Sequence, residues 1–247
     1  MNDNTSPTAP PPSHDLQFHP MTNDDAMAIL TTAWQITKKH YEIVLGTTVL
    51  IVCVAIAIGM IPIVKYLSSL VVVFLTVGQM YVVRQLIDGK PAKFSDMFRP
   101  IQDQQWMNAL LPLAISGIAI GLIQGGVAKF MEGGAFAGLL GSFLSLALTL
   151  LWVALTAFSG PLIAFKGVPF RTSLDINLRA TTANWLPLLV LALYMMGFTL
   201  ICLILLFFPV IFIALPVIYV SSYLTYAVLF EGLNIAALQA RYKSTAA

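Results

Sequence analysis

The sequence predicts an all-α, polytopic transmembrane bundle of six helices, and three observations predict it. Of 247 residues, 58% are hydrophobic and only 10% are charged, whereas soluble domains carry about 25% charge. The uncharged residues fall in long unbroken runs. The basic residues crowd the loops of one side. Together these exclude an ordinary soluble enzyme, a nucleic-acid-binding module, a disordered regulator and a coiled coil. A net charge of +2 is too small to hold a polyanion. Two cysteines, Cys53 and Cys202, rule out a disulfide scaffold and the common thiolate metal sites.

Residues 1–25 contain no Lys or Arg and no apolar core, so they do not read as a secretory signal. Five prolines among Asn, Asp, Ser and Thr describe a disordered, solvated tail, with a short Pro-rich docking motif as a lesser reading. The membrane domain is expected over residues 26–235, followed by a cytoplasmic tail over 236–247. Within Asp24–Thr37, Met27, Leu30, Trp34 and Thr37 share one helical stripe, and Ala26, Ile29, Ala33 and Ile36 lie beside it. Such a helix lies at the interface or packs on the bundle.

A hydrocarbon core about 30 Å thick needs about 20 apolar residues per helix. The uncharged runs Ile43–Val64, Tyr66–Val83 and Gln104–Ala128 each supply one span. Gly133–Phe165 has 33 residues, more than one span needs. Its GlyGly start and its Gly160-Pro161 pair suggest a helix over about 135–159 with frayed ends. Leu186–Phe230 has 45 residues, about 67 Å as one helix, so it folds back, with the bend at Phe207-Phe208-Pro209. The expected spans are therefore 43–64, 66–87, 106–128, 135–159, 185–207 and 209–230. Continuous apolar runs exclude a β-barrel, whose strands alternate over about 10 residues.

Eleven basic residues flank the spans on one side: Lys38, Lys39, Arg84, Lys90, Lys93, Arg99, Lys166, Arg171, Arg179, Arg241 and Lys243. Lys65 and Lys129 fall on the other. This bias places both termini in the cytoplasm of a bacterial inner membrane. Trp106 and Trp185 open spans at the interface, where indole partitions.

The loops after spans two and four both fit G-x-P-x-[K/R]-x-S, in Gly89-Lys90-Pro91-Ala92-Lys93-Phe94-Ser95 and Gly167-Val168-Pro169-Phe170-Arg171-Thr172-Ser173, at an offset of 78. We read a parallel internal repeat of helical hairpins. The glycine ends a span, the proline restarts the chain, and Ser95 or Ser173 is placed to cap a new helix. Phe94, Met97, Phe98 and Ile101 form a surface-helix stripe, and Leu174 and Leu178 share a face that Ile176 does not. Lys93 and Arg99 suit anionic headgroups.

Candidates for chemistry are few. Gly117, Gly121 and Gly125 form a doubled GxxxG, answered by Gly134, Gly138 and Ser142 and by Gly141, Ser145 and Thr149. Small residues at this spacing let helices approach closely, as a static contact within or between chains or as a mobile, substrate-lining pair. No ionisable residue sits mid-span, Glu42 and Arg84 lying at span ends, which argues against a proton-coupled pump. Gln79, Gln124, Thr47, Thr48 and Thr199 are expected to bond helix to helix. His14, His19 and His40 lie outside the spans, the first two in the tail, without metal-ligand spacing. Asp88, Asp96 and Asp103 sit among loop cations as ion pairs. No Walker loop, G-x-G-x-x-G or G-x-S-x-G occurs. No catalytic, cofactor-binding or metal-binding residue is assigned, and no cofactor is expected.

The stretch Gly78–Phe98, with Asp88-Gly89-Lys90-Pro91 and Phe94-Ser95-Asp96-Met97-Phe98, and then Gly160-Pro161-Leu162-Ile163 and Ser173–Trp185, resembles the six-helix bacterial domain-of-unknown-function proteins. These are related to the YciC-like group and to the membrane domain attached to some glycerophosphodiester phosphodiesterases. The resemblance covers about residues 25–235. It implies an inner-membrane location and no established activity. No soluble stretch is long enough for the phosphodiesterase barrel, so that activity does not transfer. The expectation is a non-enzymatic envelope or partner-binding component whose partners are the bilayer, anionic headgroups at the cytoplasmic face, and a membrane protein or a second copy. A transporter or channel for small neutral or amphipathic solutes is the alternative, and an intramembrane lipid-modifying enzyme is a more remote one.

Overall fold

The structure is a computed structural model, described for residues 18–61, 68–205 and 209–244. All its regular elements are helical: α1 (Asn23–Lys39), α2 (Tyr41–Gly59), α3 (Ser68–Ile87), a 3₁₀ turn (Phe94–Phe98) leading into α4 (Arg99–Gln102), α5 (Gln104–Met131) and α6 (Ala135–Thr156). There follow α7 (Ser159–Lys166), α8 (Phe170–Ala183), α9 (Trp185–Ile204), a π-helical turn (Val210–Ala214) leading into α10 (Leu215–Glu231), and α11 (Ile235–Ser244). Six helical stretches are long and apolar enough to cross a membrane: Tyr41–Gly59, Ser69–Ile87, Gln104–Met131, Ala135–Lys166, Trp185–Ile204 and Val210–Glu231. The expected bend residues Phe207 and Phe208, like Lys65 and residues 1–17, lie outside the described residues.

Two spans form the centre. Just over half (56%) of α3 and of the Val210–Glu231 stretch is buried, against 22% or less of each other span. Val217, Val220, Leu224, Tyr226 and Leu229 of α10 pack with Val82 and Val83 of α3 and with Ala26, Ile29, Ala33 and Ile36 of α1. A second cluster of Phe74, Val77, Leu110, Leu113 and Ile163 ties α3 to α5 and α7. In lipid such contacts stabilise by close packing, since hydrocarbon gives no hydrophobic drive between helices.

The first helix starts before residue 26 and takes the second of its two expected placements, packing on the bundle. Thr22 and Asp25 form a reciprocal capping box that starts α1 within the expected tail. The backbone before it is ordered: the His19 N–H donates to the Leu229 carbonyl at 2.8 Å, and the Met21 N–H donates to Asn184 Oδ1 at 2.8 Å. Farther along, the Trp34 ring meets Phe198 edge-on at 6.3 Å, and the Tyr41 hydroxyl donates to the Phe212 carbonyl at 3.3 Å. These contacts run α1 lengthwise along the α9–α10 hairpin, parallel to α9. It packs on the bundle by its Ala/Ile stripe, leaving Met27 and Trp34 outward. Alanine at positions 26 and 33 permits the close approach that the bulkier stripe would block. Pro216 has no N–H to return to Phe212 in the i−4 pattern, and the Tyr41 hydroxyl reaches that carbonyl instead.

Gly89, Gly167 and Gly232 terminate α3, α7 and α10 with φ of 71°, 66° and 65°, left-handed values that cost a glycine little. The first two are the repeat glycines; the third was not anticipated. The serines of the repeat do not cap helices. Pro169 occupies the N-cap position of α8 in extended conformation, which puts Ser173 inside the helix. Before the 3₁₀ turn it is Asp96, not Ser95, whose carboxylate accepts from the Lys93 N–H at 2.8 Å. Span four also departs from expectation. It breaks at Ala157–Phe158 and resumes as α7 through Gly160-Pro161.

Candidate functional site

Asn177 holds the break in span four. Its Oδ1 accepts from the Phe158 N–H at 3.0 Å, a donor the interrupted helix leaves over. Its Nδ2 donates to Ser159 Oγ at 2.8 Å and to the Ser173 carbonyl at 2.9 Å. The Ser173 hydroxyl lies 3.1 Å from that of Ser159. All three side chains are fully buried. The buried face of α8 is thus Ser173, Ile176, Asn177 and Ala180, while Leu178 points outward. Hydropathy alone could not find this face, because half of it is polar.

Two crevices flank the break, with Ala157 contributing to both. One, of about 410 Å³, lies between α6, α8, α9 and α10. Its walls are apolar, from Leu150, Val153, Leu188, Leu191, Met195 and Ile218, and its polar groups are the hydroxyls of Thr181, Ser221, Ser222 and Thr225. The other, of about 290 Å³, lies between α3, α5, α6 and α7, with Gly117, Trp152, Thr156 and Pro161 among its lining residues. Volumes near 300 Å³ and above are those of small-molecule sites.

At one end of α3 and α10 an ionic and aromatic knot has formed. Arg84 lies 3.4 Å from Glu231 and stacks over the Phe165 ring at 5.0 Å. The Tyr223 hydroxyl donates to Glu231 at 3.4 Å. Phe165 packs edge-on against Tyr226 and Trp106, and Arg99 donates to the Tyr81 hydroxyl at 2.6 Å. Trp106 is therefore a packing residue, whereas Trp185 is 61% exposed. Sequence reasoning passed over Glu231, although a carboxylate ending the last apolar run is a visible signal.

The other singled-out residues disperse. Gly117 abuts Ser69 of α3, while a Cβ at Gly121 would meet nothing within 4 Å. The α5–α6 hairpin is joined by Gln124, which donates to Thr149 Oγ1 at 2.9 Å and accepts from the Ser145 hydroxyl at 3.3 Å. The Met131 side chain covers Gly141. Gln79 donates to Thr48 Oγ1 at 2.8 Å, joining α3 to α2, whereas the Thr47 and Thr199 hydroxyls donate to carbonyls of their own helices. His19 packs its ring against Gly232 instead of lying in a solvated tail. Asp88 pairs with Lys90, Asp103 caps α5, Cys53 is exposed and Cys202 is buried. Among the described residues no three His, Cys, Asp or Glu side chains converge.

Comparison with known proteins returned no match among protein-family models, curated proteins or solved structures. The class rests on the fold itself: a helical bundle with six candidate membrane spans.

Proposed function

We propose that the chain is a non-enzymatic component of a bacterial inner membrane, with both termini cytoplasmic, that binds a membrane-protein partner or a second copy through the α5–α6 hairpin. Gly121 carries this reading. It leaves open space beside α5, on a hairpin whose own polar contact is made through Gln124, so a partner helix finds a surface where close approach is unopposed. The polar groups of the bundle largely engage one another, as Asn177 with Ser159, Gln79 with Thr48 and Arg84 with Glu231. The cytoplasmic assignment draws on the basic bias and on the meeting of the terminal helices with the end of α3. There Arg241 donates to the Ile87 carbonyl at 3.1 Å and Lys39 stacks on Tyr242 at 5.0 Å. The three left-handed glycines support a threefold hairpin repeat, and the resemblance to the six-helix group remains part of the same proposal.

The test is Gly121→Leu. Particle size and co-purifying partners should change while the thermal stability of the solubilised protein does not; an unchanged assembly, or substrate turnover by the pure protein, overturns the reading. The transport alternative draws its support from the two crevices, and solute flux in proteoliposomes separates it from the first.

A further inference from the structure

The larger crevice carries a donor without an acceptor. Ser221 lines it, is only 3% exposed, and among the described residues its hydroxyl has no hydrogen-bond partner. The neighbouring hydroxyls have spent their hydrogens on backbone carbonyls: Ser222 on Ile218 at 2.9 Å, Thr225 on Ser221 at 2.8 Å, and Thr181 on Ala154 at 3.4 Å. Their oxygens are left as acceptors. The crevice thus offers one donor and several acceptors within an apolar wall, and none of its lining residues is charged. An orphaned buried hydroxyl costs stability unless something meets it.

We infer that this crevice binds a neutral long-chain lipid bearing a free hydroxyl, such as a diacylglycerol or a fatty alcohol. The hydroxyl class follows from the pattern, because only a group that both donates and accepts matches Ser221 together with Ser222 and Thr225. A phosphate or ammonium headgroup would be stranded there without a counter-charge. The bilayer is the source, because the crevice is rimmed by outward apolar residues, Leu150 and Val153 on α6 and Ala192 on α9. This site is independent of the surface at Gly121 and stands whether or not α5–α6 holds a partner.

The test is titration of the full-length detergent-solubilised protein with 1,2-dioleoylglycerol, its 3-O-methyl ether and dioleoylphosphatidate, read by native mass spectrometry. The glycerol should saturate at one bound molecule. The ether, which cannot donate, should bind roughly three- to tenfold more weakly, the range of one net hydrogen bond, and the phosphatidate more weakly still. Ser221→Ala should weaken glycerol binding by a similar factor while leaving thermal stability unchanged or raised, a combination that loss of a structural contact would not give. Ala192→Trp, at the exposed mouth, should abolish the bound species without disturbing the core. Equal binding of alcohol and ether, or binding indifferent to both variants, overturns the inference.

Discussion

Gly78 and Gly121 show how one substitution takes opposite signs at two sites. A Cβ at Gly78 would collide with the backbone carbonyl of Met97, where the 3₁₀ turn lies directly on α3. Replacing a helical glycine with alanine otherwise gains about 1 kcal/mol, but overpacking against backbone costs about 1–3 kcal/mol, so the collision wins. Gly78→Ala should lower the unfolding midpoint, and Gly121→Ala, with open space around it, should leave it unchanged or raise it; thermal unfolding of the two variants side by side checks the pair. His40 gives a residue-scale prediction of another kind. It joins α1 to α2, and burial, reinforced by Lys39, holds its imidazole below the usual 6.5. The unfolded chain then takes up the proton more readily than the folded one. The His40 contribution is therefore complete above about pH 6.5 and is lost as the pH falls through the lowered folded value. His40→Gln should flatten the acid side of a melting-temperature profile recorded from about pH 7.5 to 5. A variant as acid-sensitive as the parent would mean that other groups set that limb.

Among elements, the α6–α7 break is where a polar side chain does what apolar packing does elsewhere. Asn177→Ala removes the acceptor for the Phe158 N–H and the donor to Ser159. Leaving such buried groups unpaired costs about 1–3 kcal/mol, so the variant should unfold several degrees earlier. Asn177→Gln, which keeps the amide, should recover part of the loss, and failure of either result would show that the network is not what fixes the break. The same element marks the limit of what a sequence reveals. Six spans were legible because each apolar run has to satisfy its own amides in lipid, and helix ends such as those of α3 and α9 fell within a few residues of where the charges placed them. The inward face of α8 was not legible, because periodicity weighs Leu174 and Leu178 above Ser173 and Asn177 and so selects the wrong side. Nor was the larger crevice, whose hydroxyls come from α8 and α10 and acquire meaning only once those helices are brought together. The stripe on α1 was found, but both of its sides are apolar, and hydropathy could not say which one the bundle takes.

For the molecule as a whole, the terminal helices act as a clasp. The Gln239 amide donates to the Thr31 hydroxyl at 2.7 Å, Arg241 closes the carbonyl end of α3 at Ile87, and Tyr242 is buried beneath Lys39. The C-terminal end of α1, the end of α11 and the exit of span two therefore meet at one place, an arrangement available only if an even number of spans separates them. The proposed orientation puts the basic residues of that end, Lys39, Arg84, Lys90 and Arg241 among them, on the cytoplasmic side, in keeping with the positive-inside bias. The same proposed orientation puts Glu132, at the turn between α5 and α6, on the opposite side of the membrane. Single cysteines at Ser95 and Glu132 in a background lacking Cys53 and Cys202 test this in intact cells. A membrane-impermeant maleimide should label the Glu132→Cys protein and reach the Ser95→Cys protein only after the membrane is opened. Labelling of both from outside, or of neither, would leave Gln104–Met131 without a crossing and would undo the bundle's assignment as a six-span protein.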